Sequence, residues 1–320
     1  MSRHPLLSRL RLPIVAAPMF LVSGEQLVIE SCRAGVLGTF PALNQRTTEG
    51  FRAWVRQIRA SLAEHDAGNP ERPAAPFGVN LIVHRSNDRL QADLAVCVEE
   101  RVPVVITSLG AVRDVVDAVH SYGGIVLHDI TSRRHAMKAA EAGVDGLILV
   151  TGGAGGHAGT INPFALVNDI RSFWDGLLLL AGALSTGRDV LAAQAMGADL
   201  AYLGTRFIAT TESRAQDGYK EMVCAARPED IVHTPAVSGV PANFMRQSLV
   251  DNGFDVERLG SAGDVNLADA LTVSEDAKAW KTIWSAGHGV SAVNDVVPVA
   301  ALVDRLEREY LEARRALCEG

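Results

Sequence analysis

Thr151-Gly152-Gly153-Ala154-Gly155-Gly156-His157-Ala158-Gly159-Thr160 surrounds one histidine with five glycines. Imidazole has its ordinary pKa near neutrality, so His157 can take up or release a proton where its neighbours cannot. Glycine has no Cβ, and a glycine-rich backbone can approach a flat ring or an anion closely. A lone histidine is more often structural than chemical. Here Gly155 and Gly156 directly precede it on a loop that follows the apolar run Gly146-Leu147-Ile148-Leu149-Val150, which exposes the ring beyond the end of a strand. Its expected role is general base, or hydrogen-bond donor to an oxyanion, an effect of about 10²–10⁴-fold in rate.

Ala181-Gly182-Ala183 and Leu203-Gly204-Thr205-Arg206-Phe207 also end apolar runs in glycine. Backbone N–H groups and a helix N-terminus at such loops can hold a phosphate, and Thr205 adds a hydroxyl donor. The same glycines would serve plain tight turns, but two such loops in one sector favour the phosphate. Asn80 closes another strand with an amide that both donates and accepts, which suits the edge of a planar heterocycle. Capping the next helix is its competing role. His128 and Asp129 are strand neighbours that point to opposite faces, so they are not expected to cooperate. His288, in Trp284-Ser285-Ala286-Gly287-His288-Gly289, either closes over the site or marks a simple turn. The histidines show no H-x-x-E or H-E-x-x-H spacing, so no metal site is expected. No G-x-G-x-x-G opens a first βαβ unit either, which excludes a Rossmann domain.

The elements that must position these residues alternate. Apolar runs at Pro13–Ala17, Gly35–Phe40, Phe77–Ile82, Val102–Thr107, Ile125–His128, Asp145–Val150, Leu177–Ala181 and Asp199–Leu203 read as strands, each followed by a segment of helical periodicity. Strands apolar throughout indicate a parallel sheet covered by helices. Eight units favour closure into a (β/α)₈ TIM barrel over an open doubly wound sheet. Glu141-Ala142-Gly143-Val144-Asp145 and Met196-Gly197-Ala198-Asp199 read as short helix-to-strand loops with glycine at the helix end. After strand eight the alternation stops. Residues 1–210 and 277–320 are expected to form the barrel, and 211–276 an inserted helical lid or substrate subdomain. The final segment, Val293–Leu317, carries Leu302, Val303, Leu306, Tyr310 and Leu311 as an apolar stripe for the barrel wall.

Composition narrows the class. The 320 residues are 48% hydrophobic and 21% charged, enough for a sizeable core, and the net charge of −7 argues against nucleic-acid binding. Met1–Arg11 lacks the apolar core of a signal peptide, no run is long enough to span a membrane, and Cys32, Cys97, Cys224 and Cys318 are widely spaced. A cytoplasmic protein with reduced thiols is expected.

Assembled in this order, Ala16-Ala17-Pro18-Met19, Phe77-Gly78-Val79-Asn80, Ala154-Gly155-Gly156-His157-Ala158-Gly159, Ala181-Gly182, Met196-Gly197-Ala198-Asp199, Leu203-Gly204-Thr205-Arg206-Phe207 and Trp284-Ser285-Ala286-Gly287 give the chain a resemblance to the nitronate monooxygenase family. That resemblance, spanning nearly the whole chain, implies a TIM barrel binding FMN non-covalently. It would place Ala17, Pro18, Met19 and Asn80 around the flavin ring, Thr151 and Gly155 beside it, and Gly182, Gly204 and Thr205 at the phosphate, with His157 as the catalytic histidine. The implied reaction oxidises an alkyl nitronate with O₂ to a carbonyl compound and nitrite. The alternatives are an NAD(P)H-dependent reductase of quinones or enoyl thioesters, and a barrel that binds a phosphorylated metabolite without redox chemistry. Partners would be these small molecules, with no nucleic acid or membrane, and a homodimer is allowed. The chain departs from the resemblance at Gly153, where reductase-like relatives often have Glu, at Asp129, where some relatives place Lys, and at Ala183, which replaces the second glycine of a Gly-Gly pair. The block His233–Phe244 is expected to line the substrate pocket.

Overall fold

A computed structural model of the protein describes residues 4–110, 113–261 and 281–319. Eight parallel strands close into a barrel in the order β1 (Ile14–Ala16), β2 (Leu37–Pro41), β3 (Phe77–Ile82), β4 (Val104–Ser108), β5 (Ile125–Ile130), β6 (Gly146–Val150), β8 (Leu177–Ala181) and β9 (Leu200–Leu203). β1 pairs with β9 through Val15↔Tyr202, which leaves no free edge. The expected TIM barrel is therefore what forms.

Alternate strand residues divide the core. Val15, Leu37, Val104, Ile106, Leu127, Ile148, Leu177, Leu179 and Leu200 fill the interior, and Leu6, from the 3₁₀ turn Pro5–Arg9, packs into the same cluster. The segment before β1 is thus part of the barrel core. The opposite faces pack against the helices α1 (Glu25–Arg33), α2 (Thr48–Gly68), α3 (Leu90–Glu99), α4 (Arg113–His120), α5 (Arg133–Ala142), α6 (Pro163–Arg171) and α7 (Gly187–Met196). Gly143 (φ +89°) and Gly197 (φ +110°) end α5 and α7 in the left-handed conformation, as their place in the sequence predicted.

Two features differ from expectation. The segment read as a helical lid does contain α9 (Asp217–Ala225) and α10 (Arg246–Asp251), after the one-turn α8 (Thr205–Ile208), but it also contains β10 (Ile231–Thr234) and β11 (Ala242–Met245). These strands form an antiparallel pair, and β11 also pairs with β7 (Gly156–His157), making a second, three-stranded sheet. Two-residue and four-residue strands bounded by proline and glycine are too short for a period to show in the sequence. The final helix, Val299–Glu319, buries Leu302, Val303 and Leu306 as expected, and Tyr310 Oη donates to Gln194 Oε1 at 2.7 Å. Leu311 is exposed, so the stripe stops at Tyr310. The proposed lid residues 262–276 and the start of the helix expected at Ala277 lie outside the described residues.

Candidate active site

β6 delivers the glycine loop to the carboxyl end of the barrel, and the second sheet fixes it there. His157 pairs with Ala242 and Gly156 with Asn243. The Asn243 side chain donates to Gly152 O at 3.0 Å and Ala154 O at 2.6 Å, satisfying carbonyls that a glycine loop otherwise leaves bare. From the other side, Gly156 N donates to Ser285 Oγ at 2.6 Å and His288 N donates to Gly153 O at 3.0 Å. The loop is therefore clamped between β11 and the 285–288 turn. Asn243 and Ser285 are positioning residues that local reasoning missed; the nearest signals were the place of Ser285 in the Trp284–Gly287 stretch of the resemblance and of Asn243 in the His233–Phe244 block expected to line the substrate pocket.

His157 keeps exposed surface, while enough protein surrounds the ring to disfavour its charged form and hold the imidazole below its ordinary value. Its Nε2 lies 3.5 Å from Ser238 Oγ, whose proton goes to Val240 O at 3.1 Å. A neutral imidazole at this position can accept a proton.

The other expected site residues fall into three groups. Ala17, Met19 and Gly204 meet where β1 adjoins β9: a Cβ built on Gly204 would lie 3.7 Å from both Ala17 Cβ and Met19 Sδ. Pro18, between them, is half-buried, and Asn44 fixes the loop by donating to Met19 O and Ser23 O at 3.0 and 2.8 Å. Thr151 and Gly182 form the second group. Thr151 Oγ1 donates to Ala181 O at 2.8 Å, and a Cβ on Gly182 (φ +128°) would lie 2.2 Å from that hydroxyl, so only glycine fits. Gly155 abuts Ala286 and Gly287, and Thr205 Oγ1 accepts from Gly287 N at 2.9 Å, which ties the β9 loop to the same turn. Asn80 belongs to the third group. It donates to Ser108 Oγ at 2.7 Å and Ile106 O at 3.3 Å rather than capping a helix.

His128 and Asp129 take opposite faces, as expected. His128 is buried beside Thr107 Oγ1 at 2.7 Å, and desolvation lowers it to about 4. The backbone of His288 supports the loop while its side chain is exposed.

One expectation about the phosphate changes. Three amides leading into α7 are taken: Ser185 N and Thr186 N donate to Asp189 Oδ2 at 2.9 and 2.8 Å, and Gly187 N to Glu309 Oε2 at 2.8 Å. An anion there cannot use these three amides. Arg206, the cation of the Gly-Thr-Arg-Phe stretch, is buried against Asp295 at 2.8 Å and serves the fold.

The departures Gly153 and Ala183 are in contact. A Cβ on Gly153 would sit 3.0 Å from the Ala183 methyl, and Ala183 holds the left-handed φ of +58° that glycine adopts more readily. The missing side chain at one position leaves room for the added methyl at the other.

Small residues at the ends of β1, β8 and β9 keep side chains off this part of the mouth. Ser185 Oγ, buried in the loop after β8, has no hydrogen-bond partner among the described residues. These features fit a planar cofactor with an anionic tail. Among the described residues no cluster of three or more His, Cys, Asp or Glu could hold a metal ion, and no helix is long and apolar enough to cross a membrane.

The fold is a TIM barrel, a closed (β/α)₈ cylinder with a clamped glycine–histidine loop at its carboxyl end. Residues 4–309 match the nitronate monooxygenase family, and the chain belongs to it. A nitronate monooxygenase of Paraburkholderia phytofirmans is 28% identical, over 94% of this chain and 93% of that one. The (3aS,4S,5R,7aS)-5-hydroxy-7a-methyl-1-oxo-octahydro-1H-indene-4-carboxyl-CoA dehydrogenase of Rhodococcus jostii is also 28% identical, over 75% of this chain but only 64% of its own length. Among solved structures, the nitroalkane oxidase of Streptomyces ansochromogenes superposes with a TM-score of 0.78 at 28% identity, covering 98% of this chain and 99% of that one.

Proposed function

We propose that the protein is an FMN-dependent nitronate monooxygenase that oxidises alkyl nitronates with O₂ to a carbonyl compound and nitrite. The observation that carries this reading is the placement of a neutral His157 on a strand clamped at the barrel mouth, in the same loop system as the small residues of β8 and β9. Ala17, Pro18, Met19 and Asn80 would border the flavin ring, Thr151 and Gly155 would lie beside it, and Gly182, Gly204 and Thr205 would hold the phosphate. FMN, when bound, supplies the capacity to accept the substrate's electrons and pass them to O₂.

The chain's own part is acid–base and positional. His157 can take the α-proton of a neutral nitroalkane or donate to a nitronate oxygen. Asn243 and Ser285 keep the imidazole from drifting, which matters because small misplacements of a reacting group cost large factors in rate. The β10–β11 pair covers one side of the loop and limits water there.

A second reading, a reductase that takes hydride from NAD(P)H to a quinone or enoyl thioester, draws on the likeness to a carboxyl-CoA dehydrogenase. Anaerobic mixing separates the two. Bleaching of the flavin by a nitronate, with none by NADH or NADPH, is the expected result; rapid bleaching by NADH or NADPH would favour the reductase. A protein that purifies without flavin and takes up no FMN would leave the non-redox barrel.

A further inference from the structure

Asn80 of β3, Ser108 of β4 and Asp129 of β5 form a one-way chain of hydrogen bonds near the mouth ends of three consecutive strands. Asn80 Nδ2 donates to Ser108 Oγ at 2.7 Å, and Ser108 gives its only proton to Asp129 Oδ2. Asp129 Oδ1 is sealed from solvent and takes no hydrogen bond from the described residues. The carboxyl belongs to the inner face, because Leu127 two residues earlier lies in the interior cluster and side chains alternate along a strand. Ser108 and Asp129 both retain some exposed surface.

A carboxylate with one bare oxygen against apolar walls is costly, and a purely structural one is ordinarily paired with a cation. Among the described residues Asp129 has no such partner: burial pushes it up to about 6, and only the Ser108 hydrogen bond works the other way. Among the described residues, the groups beside it are uncharged. Tyr202 of β9 faces it as a phenol whose own ionisation is driven far up, Ile148 lies opposite in the β6 register, and His128 is turned to the outer face.

We propose that Asp129 sets the electrostatics of the cofactor site, its carboxylate opposing negative charge on the reduced flavin so that reduced cofactor is held less tightly than oxidised cofactor as pH rises. This rests on the flavin reading above. A ring that gains two electrons and one proton carries one extra negative charge, and like charges at the barrel mouth repel. Asn80 and Ser108 are then positioning residues: the donated proton of Ser108 stabilises the ionised form and so sets the pH at which the effect begins.

The test uses the full chain loaded with FMN. Dissociation constants for oxidised and reduced FMN are measured from pH 5 to 9, together with the flavin midpoint potential, relative to free FMN. In the wild type the ratio of reduced to oxidised constants is expected to rise by about tenfold across the range, the scale of one unit charge at partly screened distance. Asp129→Asn should hold the low-pH ratio throughout and raise the midpoint potential at pH 8. Ser108→Ala should shift the transition to higher pH, an effect that loss of a merely structural contact would not produce. An Asp129→Asn profile that follows the wild type, or a Ser108→Ala transition that stays in place, overturns the proposal. If Asp129→Asn fails to fold, the Ser108→Ala arm decides alone. Failure of the wild type to bind FMN at all refutes the flavin reading itself, and the proposal with it.

Discussion

Removing the carboxylate of Asp295 strands the charge of Arg206. The Arg206 residue is 1% exposed; its Nη2 meets Asp295 Oδ1 at 2.8 Å, whereas Nη1 donates to the backbone carbonyls of Ala209 and Asp295 at 3.3 and 3.2 Å. Deleting one partner of a buried pair costs about 3–5 kcal/mol, because the remaining charge is left uncompensated. Two things reduce that figure here: both carbonyls survive the substitution, and the Asp295 side chain is 38% exposed, so water reaches one side of the pair. Arg305, the other partner of Asp295, is itself 34% exposed and adds little when released. Asp295→Ala is therefore expected to cost about 2–3 kcal/mol. Urea unfolding should show a lower midpoint at unchanged slope, the mark of lost stability without a change in the surface exposed. Arg206→Met should cost less, since it removes the charge together with its need for a partner. Arg206 faces the Asp295 segment, so FMN affinity of the folded Asp295→Ala protein should stay within about twofold of wild type, well under the tenfold that 1.4 kcal/mol represents. A loss below about 1 kcal/mol would refute the stranded-charge reasoning. A large rise in the FMN dissociation constant at temperatures where the variant is folded would refute the structural role of Arg206.

Other substitutions separate fold from chemistry. His157→Ala should retain flavin, seen as a yellow protein, while turnover of a nitroalkane falls at least about a hundredfold; unchanged turnover would remove the histidine from the proton transfer. Gly204→Val should fold, because a Cβ there meets nothing nearer than 3.7 Å, yet lose FMN affinity by filling the space beside Ala17 and Met19; a fully loaded variant would move the phosphate elsewhere. Gly153→Ala should destabilise by about 1–3 kcal/mol through overpacking, and less in an Ala183→Gly background, since its 3.0 Å contact with the Ala183 methyl disappears; strictly additive losses in a double-mutant cycle would show the two positions to be independent. For pH, His128 lowered to about 4 from an ordinary 6.5 makes the native state bind fewer protons than the unfolded chain, so stability falls as pH drops through that interval. Asp129, raised to about 6 from 3.8, works the opposite way over nearly the same window. The two should largely offset in the wild type, and Asp129→Asn should expose a slope approaching about 1.4 kcal/mol per pH unit between pH 6 and 4.5; denaturation midpoints that stay flat would contradict one of the two directions.

Much of the architecture was legible in the chain because the signals are local. An apolar run followed by helical spacing, eight times over, records which residues leave water, and closure follows once each parallel strand needs a neighbour. The glycine ends of α5 and α7 needed only the left-handed conformation to be read correctly. His157 stood out because flexible residues surround the one titratable group in its stretch.

What tertiary structure decided was which distant segments meet, and no local period encodes that. The loop holding His157 is fixed by Ala242 and Asn243, more than 80 residues along the chain, through a strand pair too short to show alternation. The amides leading into α7 look open to an anion until Asp189 folds back over two of them and the last helix brings Glu309 to Gly187. Gly153 and Ala183 are two unrelated departures in the sequence and one contact in the barrel. Composition and periodicity report burial, which each residue settles with its near neighbours. Partner choice depends on how the closed barrel positions its strand ends, and only the folded chain sets those distances.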